Sequence, residues 1–275
     1  MWLFRRGRMN AGDVTTERDA AHVVVLGASN VTLGFPRIVA EVRRLFPGRV
    51  QMFAAHGHGR SYGTPSWAPF RVLPGLRACG LWDDFCRVHE RSPETPVYAL
   101  LTDIGNDLLF GKSPERIDEW LVECLGPLLA VGATTTIGRP PVHALQRLGR
   151  TRFRAARSFF FPKSPLTYER MLVDVPRLDE LIVARATTVG ATTFQPRPEW
   201  YGLDPIHVRR SKRPAAWREI VELWLPPDGR KGRSDVAIRR RHWLLRPAEK
   251  AVFGRKRIQQ QPAFRWEDGG GIWLY

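Results

Sequence analysis

The chain has 275 residues, 43% of them hydrophobic, and 43 Lys and Arg against 27 Asp and Glu give it a formal net charge of +16. Such a content suits a packed domain with extensions and excludes a wholly disordered chain, and no apolar run is long enough to form a transmembrane helix. The charge favours anionic partners (nucleic acid, acidic membrane or acidic substrates), although a basic solvated surface accounts for it equally simply.

Residues 1–21 contain arginines with no apolar segment behind them, so they read as an N-terminal extension rather than a secretory signal. Residues 22–27, HVVVLG, read as a buried strand: short, β-branched and closed by Gly27. Residues 35–46 follow with Ile38, Val39, Val42, Leu45 and Phe46 at helical spacing. Residues 49–55 form a second strand, and the glycine-rich residues 57–64 a loop. Residues 75–89 suit a short, interrupted helix. Residues 96–103 are a third strand, and residues 113–132 a helix with Ser113 as its cap and Pro114 at its first position. A fourth strand covers residues 133–138. Residues 168–190 are largely helical, interrupted or restarted near Pro176, and residues 191–195 make a fifth strand. Residues 211–225 close with a helix capped by Ser211.

Strands alternating with helices predict a three-layer, flavodoxin-like α/β fold with a five-stranded parallel sheet, and ligands then bind outside the carboxyl ends of the strands. Residues 22–225 would form that domain. Residues 226–275 would be a basic C-terminal tail, joined by the linker-like residues 226–235 and carrying 12 Lys and Arg against 5 Asp and Glu. The tail has no clear period, though it holds Trp243, Trp266 and Trp273. Three cysteines, Cys79, Cys86 and Cys124, are too few for a disulfide framework and point to a reducing, cytoplasmic compartment. No Cys-x-x-Cys is present for a structural zinc.

Four segments with chemical potential each follow a predicted strand. In DPIH, the Asp204 carboxylate can accept from the His207 imidazole, fixing its tautomer and leaving Nε2 as a base. A helix-capping Asp beside a surface His would give the same pattern. In DIGNDLLFG, Asn106 could offer a side-chain N–H to a developing oxyanion, or simply close a turn. In AHGHGRSYG, a glycine brings a backbone N–H close to a ligand with no Cβ in the way, or makes a turn. In VVVLGASN, Ser29 ends the first strand, where it could cap a helix, hold a phosphate or attack a substrate.

In this order, the four segments resemble the blocks of the SGNH (GDSL-type) hydrolase family, over roughly residues 21–225. The resemblance implies Ser29 as nucleophile, with Asp204 and His207 completing a catalytic triad. It implies an oxyanion hole from the backbone N–H groups of Ser29 and Gly59, with Gly57 as the alternative, and the Asn106 amide. The implied function is a serine esterase or acyl hydrolase acting on a lipid, acetylated glycan or small ester, with transfer to an acceptor other than water left open. No metal or other cofactor is implied. Ala28 stands where the family usually has Asp, Asn30 where it often has Leu, and Ile104 where the third block begins with Gly.

Position 31 is Val, which disfavours the Gly-x-Ser-x-Gly elbow of α/β-hydrolases. GHGRSYG has the wrong spacing for a dinucleotide fingerprint, and no Walker A loop occurs. His56 and His58 lack further ligands for a metal and are expected to flank the oxyanion loop. Residues 146–163 carry six basic and no acidic residues, interleaved with Phe153 and Phe159 to Phe161. That stretch is expected to form a lid or a wall of the acyl pocket, with Arg152, Arg154 and Arg157 attracting anionic substrates, or else a solvated basic loop. The competing class is a catalytically degenerate scaffold whose basic tail binds nucleic acid or anionic membrane.

Overall fold

The computed structural model describes residues 19–68, 71–226, 240–252 and 255–275. Most of the expected extension and the linker-like residues 227–235 therefore lie outside the described residues. The elements in the first half of the chain are β1 (Ala21–Leu26), α1 (Ser29–Leu45), β2 (Val50–Ala55), β3 (Ser66–Ala68), β4 (Arg71–Leu73), α2 (Leu81–His89), β5 (Val97–Leu101), α3 (Asn106–Leu109) and α4 (Pro114–Ala130). The second half contributes β6 (Thr134–Gly138), α5 (Val142–Gln146), α6 (Arg150–Phe160), α7 (Tyr168–Val189), β7 (Thr192–Phe194) and α8 (Arg213–Glu222). Beyond them lie β8 (Glu249–Val252), β9 (Arg255–Ile258), β10 (Phe264–Arg265) and β11 (Gly271–Leu274).

Among the described residues, the central sheet has seven strands in the order β10-β11-β2-β1-β5-β6-β7. Its five expected strands are present, all parallel, with β1 between β2 and β5. The expectation of a five-stranded sheet is corrected at the β2 edge. There β11 adds in parallel register, Gly271 opposite Gln51 and Leu274 opposite Ala54, and β10 pairs antiparallel to β11. The run GIWL is too short to show a period, and only the exposed hydrogen-bonding edge of β2 makes it a strand. A second, antiparallel sheet joins the β3–β4 hairpin to β8 and β9.

β1 is apolar at both parities because both of its faces are covered. Val23 and Val25 pack in one cluster with α1 and α8, including Ile38, Val42, Trp217 and Val221. Val24 and Leu26 pack on the opposite face with residues of α2, α4 and α7, such as Phe85, Leu121 and Leu178. The result is helix, sheet, helix in three layers. Gly34 lets α8 approach α1: a Cβ there would lie 1.9 Å from the Trp217 indole nitrogen.

Two expectations about helices are corrected. α8 has Lys212 as its N-cap, without a side-chain bond, so Ser211 does not cap it. α7 runs unbroken through Pro176. A helix-interior proline costs about 3 kcal/mol. The stripe Met171, Val175, Leu178 and Ile182, buried on both sides of it, outweighs that loss. Ser113 does cap α4, accepting from Arg116 N at 3.2 Å. No described helix is long and apolar enough to cross a membrane.

Candidate active site

The sheet reverses direction of growth between β1 and β5, so the turns leaving those two strands face a common crevice at their carboxyl ends. The β1 turn leads directly into α1, which begins at Ser29, earlier than its apolar pattern suggests. Ser29 is 8% exposed. The β5 turn holds Asp103 at φ 59°, a left-handed conformation uncommon outside glycine and tolerated by Asp. That turn aims the Asp103 carboxylate at the start of α1. Oδ2 accepts from Ala28 N at 2.8 Å and Asn30 N at 3.1 Å, and Oδ1 accepts from the Asn30 side-chain amide at 2.9 Å. A carboxylate there satisfies free helix N–H groups and suits the helix dipole.

Asn30 is the link to the last segment. Its Nδ2 also donates to Ile206 O at 2.9 Å, and its Oδ1 accepts from Val208 N at 2.9 Å. The residue after Ser29 thus grips the backbone on both sides of His207. Within that segment the His207 Nδ1 and Asp204 Oδ2 are 2.7 Å apart. Asp204 Oδ1 accepts from the backbone N–H groups of Ile206 and His207 at 3.0 and 3.1 Å. Burial works to raise the Asp204 carboxyl, but the bonds from His207 and Ile206 overcome it and hold the group below its ordinary value. With Nδ1 occupied, a neutral His207 presents Nε2 as its basic nitrogen.

Asn106 opens α3, and its side-chain nitrogen is buried without a hydrogen-bond partner among the described residues. It lines an apolar cavity shared with Asn30, Ile206, Leu148, Phe160 and Trp200. The neighbouring Asp107, fully buried, works in the other direction. It accepts from Ser61 Oγ and, at 2.8 Å, from Tyr62 N, and Ser61 Oγ in turn accepts from Gly63 N at 3.1 Å. Burial raises the Asp107 carboxyl to about 6, against the lowering bonds from Ser61 and Tyr62. Asp107 therefore clamps the glycine-rich loop beside Asn106.

Gly59 in that loop has φ 62°, which favours glycine, and a Cβ on it would meet Phe161 at 3.5 Å. A Cβ on Gly57 would instead strike Leu73 at 2.5 Å. The next residue, Arg60, is fully buried and donates to Pro74 O at 3.1 Å and to the main-chain oxygen of Tyr275, beside β11. His56, at the end of β2, has Nδ1 3.0 Å from Thr32 Oγ1 on α1, and His58 is exposed.

The basic stretch expected as a lid or wall is helical: α5 and α6 cover most of it. Phe160 sets its ring edge-on to His207 at 5.1 Å between centroids, and Phe161 meets Phe110 at 5.7 Å. Arg157 lines the cavity and donates to Leu166 O at 3.0 Å. Arg152 and Arg154 are exposed and are not among the cavity-lining residues. Sequence reasoning missed Asp103, and it saw Asn30 only as a departure from a motif. The one available signal was an acidic residue ending an apolar strand.

No protein-family model matches the chain, and no curated protein matches it in sequence. Among solved structures it is similar to the psychrotrophic esterase EstA from Pseudoalteromonas sp., inhibited by monoethylphosphonate. That match has 12% identity over 75% of this chain and 98% of that one, with a TM-score of 0.44. TesA matches at 15% identity over 75% of this chain and 98% of its own, with a TM-score of 0.43. The native M. smegmatis aryl esterase matches at 12% identity over 74% of this chain and 100% of its own, with a TM-score of 0.45. Likeness at this level bears on neither substrate nor mechanism.

Proposed function

We propose that the protein is a serine esterase of the SGNH type, with Ser29 as nucleophile, His207 as general base and acid, and Asp204 as its orienting carboxylate. The observation that carries the reading is the Asn30 bridge. It ties the helix that starts at Ser29 to both neighbours of a histidine already paired with a carboxylate at 2.7 Å. A capping serine or a surface Asp–His pair would have no need of that link.

His207 Nε2 takes the Ser29 hydroxyl proton as Oγ bonds to the ester carbonyl carbon. The carbonyl oxygen becomes an oxyanion, held by the backbone N–H groups of Ser29 and Gly59 and by the Asn106 amide. Collapse breaks the bond to the alkoxy oxygen, which leaves with the proton from His207. Water then repeats the sequence on the acyl-enzyme and frees the carboxylic acid. The unpartnered Asn106 nitrogen supports its role, because a buried donor is costly unless something accepts from it. The apolar cavity, lined by Asn106 and by Asn30 and Ile206 next to Ser29 and His207 rather than by those two themselves, supports an acyl group as the part of the substrate it receives.

The test is covalent labelling with a fluorophosphonate, followed by peptide mapping. Label on Ser29, together with loss of p-nitrophenyl acetate hydrolysis by at least about a thousandfold in Ser29→Ala, is expected. Label elsewhere, or undiminished hydrolysis in a folded Ser29→Ala, would sink the assignment.

A further inference from the structure

Two segments that meet at His207 carry no acidic residue, and the carboxylates flanking the second, Asp204 and Glu219, are paired with His207 and Arg197. Residues 146–163 have six Lys or Arg, and residues 205–218 have five. The Phe160 ring lies against His207, and Arg152 donates to Leu203 O at 3.3 Å, so the two segments share one rim. On that rim Arg152, Lys163, Arg209, Arg210 and Lys212 are exposed. Glu169 on α7 pairs with Arg150 at the start of α6 and faces Arg154 one turn on, so Arg152 is the α6 cation left to the rim.

Two large apolar side chains stand out in the same place. Leu203 is 92% exposed and Phe159 is 80% exposed. Arg152 and Phe159 are seven residues apart on α6, two helical turns, and so lie on one face, and Arg152 is the residue bonded to the Leu203 backbone. The next residue, Phe160, turns inward and lines the cavity. Exposed apolar side chains ringed by cations, above an apolar cavity, match the layering of an anionic lipid surface: charged headgroups first, then acyl chains. A nucleic-acid surface would use the cations and leave Leu203, an aliphatic side chain with no stacking face, in water.

We infer that this rim docks on an anionic bilayer, with Phe159 and Leu203 entering the headgroup boundary and the arginines meeting the lipid phosphates. Access of a lipid ester to Ser29 from that surface rests on the hydrolase reading; the docking itself does not. Sedimentation with vesicles of phosphatidylcholine, alone or mixed with phosphatidylglycerol, tests it on the full chain. Wild type and Ser29→Ala are expected to bind the mixed vesicles equally and the neutral ones weakly, with binding falling as salt rises. Each of Arg152→Ser and Arg210→Ser should weaken binding about fivefold. The double variant Phe159→Ser, Leu203→Ser should weaken it at least about tenfold, while hydrolysis of a short soluble ester is unchanged. Equal binding to both vesicle types overturns the inference, as does full binding by the apolar double variant. Preference for a single-stranded oligonucleotide, unaffected by that variant, would assign the rim to nucleic acid instead. Vesicle binding without ester hydrolysis would leave the docking standing and remove the hydrolase reading.

Discussion

Asn30 commits both ends of its amide: Nδ2 to Asp103 and Ile206 O, Oδ1 to Val208 N. Leucine, the residue the SGNH resemblance leads one to expect there, can make none of these bonds. Asn30→Leu would strand the Val208 N–H and release the backbone on both sides of His207. A misplacement of about 1 Å at a catalytic base costs up to about a hundredfold. We therefore expect Asn30→Leu to lower kcat for p-nitrophenyl acetate by about tenfold to a hundredfold, with KM changed by no more than about twofold. An unchanged kcat would show that the bridge does not position His207. Asp103, which Asn30 also binds, bears on the departure at position 28. The resemblance calls for an acidic side chain there, and in this chain the carboxylate against Ala28 N belongs to Asp103.

At the scale of elements, the glycine-rich loop after β2 depends on what is brought to it by α3 and β11. Asp107 holds its Ser61 and Tyr62, and Tyr275 holds its Arg60. Burial lifts Asp107 from its ordinary 3.8 to about 6. Its raised folded-state pKa means that its contribution to stability is complete below the unfolded value and is lost as pH rises through the folded one. Asparagine cannot ionise and lacks this dependence. The Tm of wild type relative to Asp107→Asn should therefore be greatest near about pH 4 and shrink towards about pH 7. A difference independent of pH, followed by thermal melts, would refute the linkage. The Asn106–Asp107 pair was legible as a motif after a strand. What Asp107 grips was not, because Ser61 lies 46 residues earlier and no local pattern records the pairing.

At the scale of the whole molecule, the C-terminal residues are part of the central sheet. Ile272, Trp273, Leu274 and Tyr275 are all at least nine-tenths buried. Each large apolar side chain buried contributes roughly 1.5–3 kcal/mol. Losing four of them, together with the β2 edge pairing, approaches the roughly 5–15 kcal/mol by which a domain is stable. A chain ending at Leu225 should therefore lack a cooperative thermal transition or precipitate. A soluble product melting near the wild-type Tm would show that β11 is dispensable.

The sequence by itself determined the strands β1, β2, β5, β6 and β7, the alternation that forces three layers, the cap of α4 and the four segments that follow strand ends. These follow from local preference: a β-branched run buried on both faces, a serine before a proline, a glycine loop after a strand. Tertiary structure decided the rest. Whether GIWL becomes a strand depends on the open edge of β2, and whether α7 survives Pro176 depends on the stripe it buries. Whether α6 walls the site depends on Phe160 meeting His207. Likewise, Asn30 acquires its meaning only where β1, β5 and the DPIH turn converge, because hydrogen bonds between residues 30 and 208 are set by packing and leave no trace in spacing.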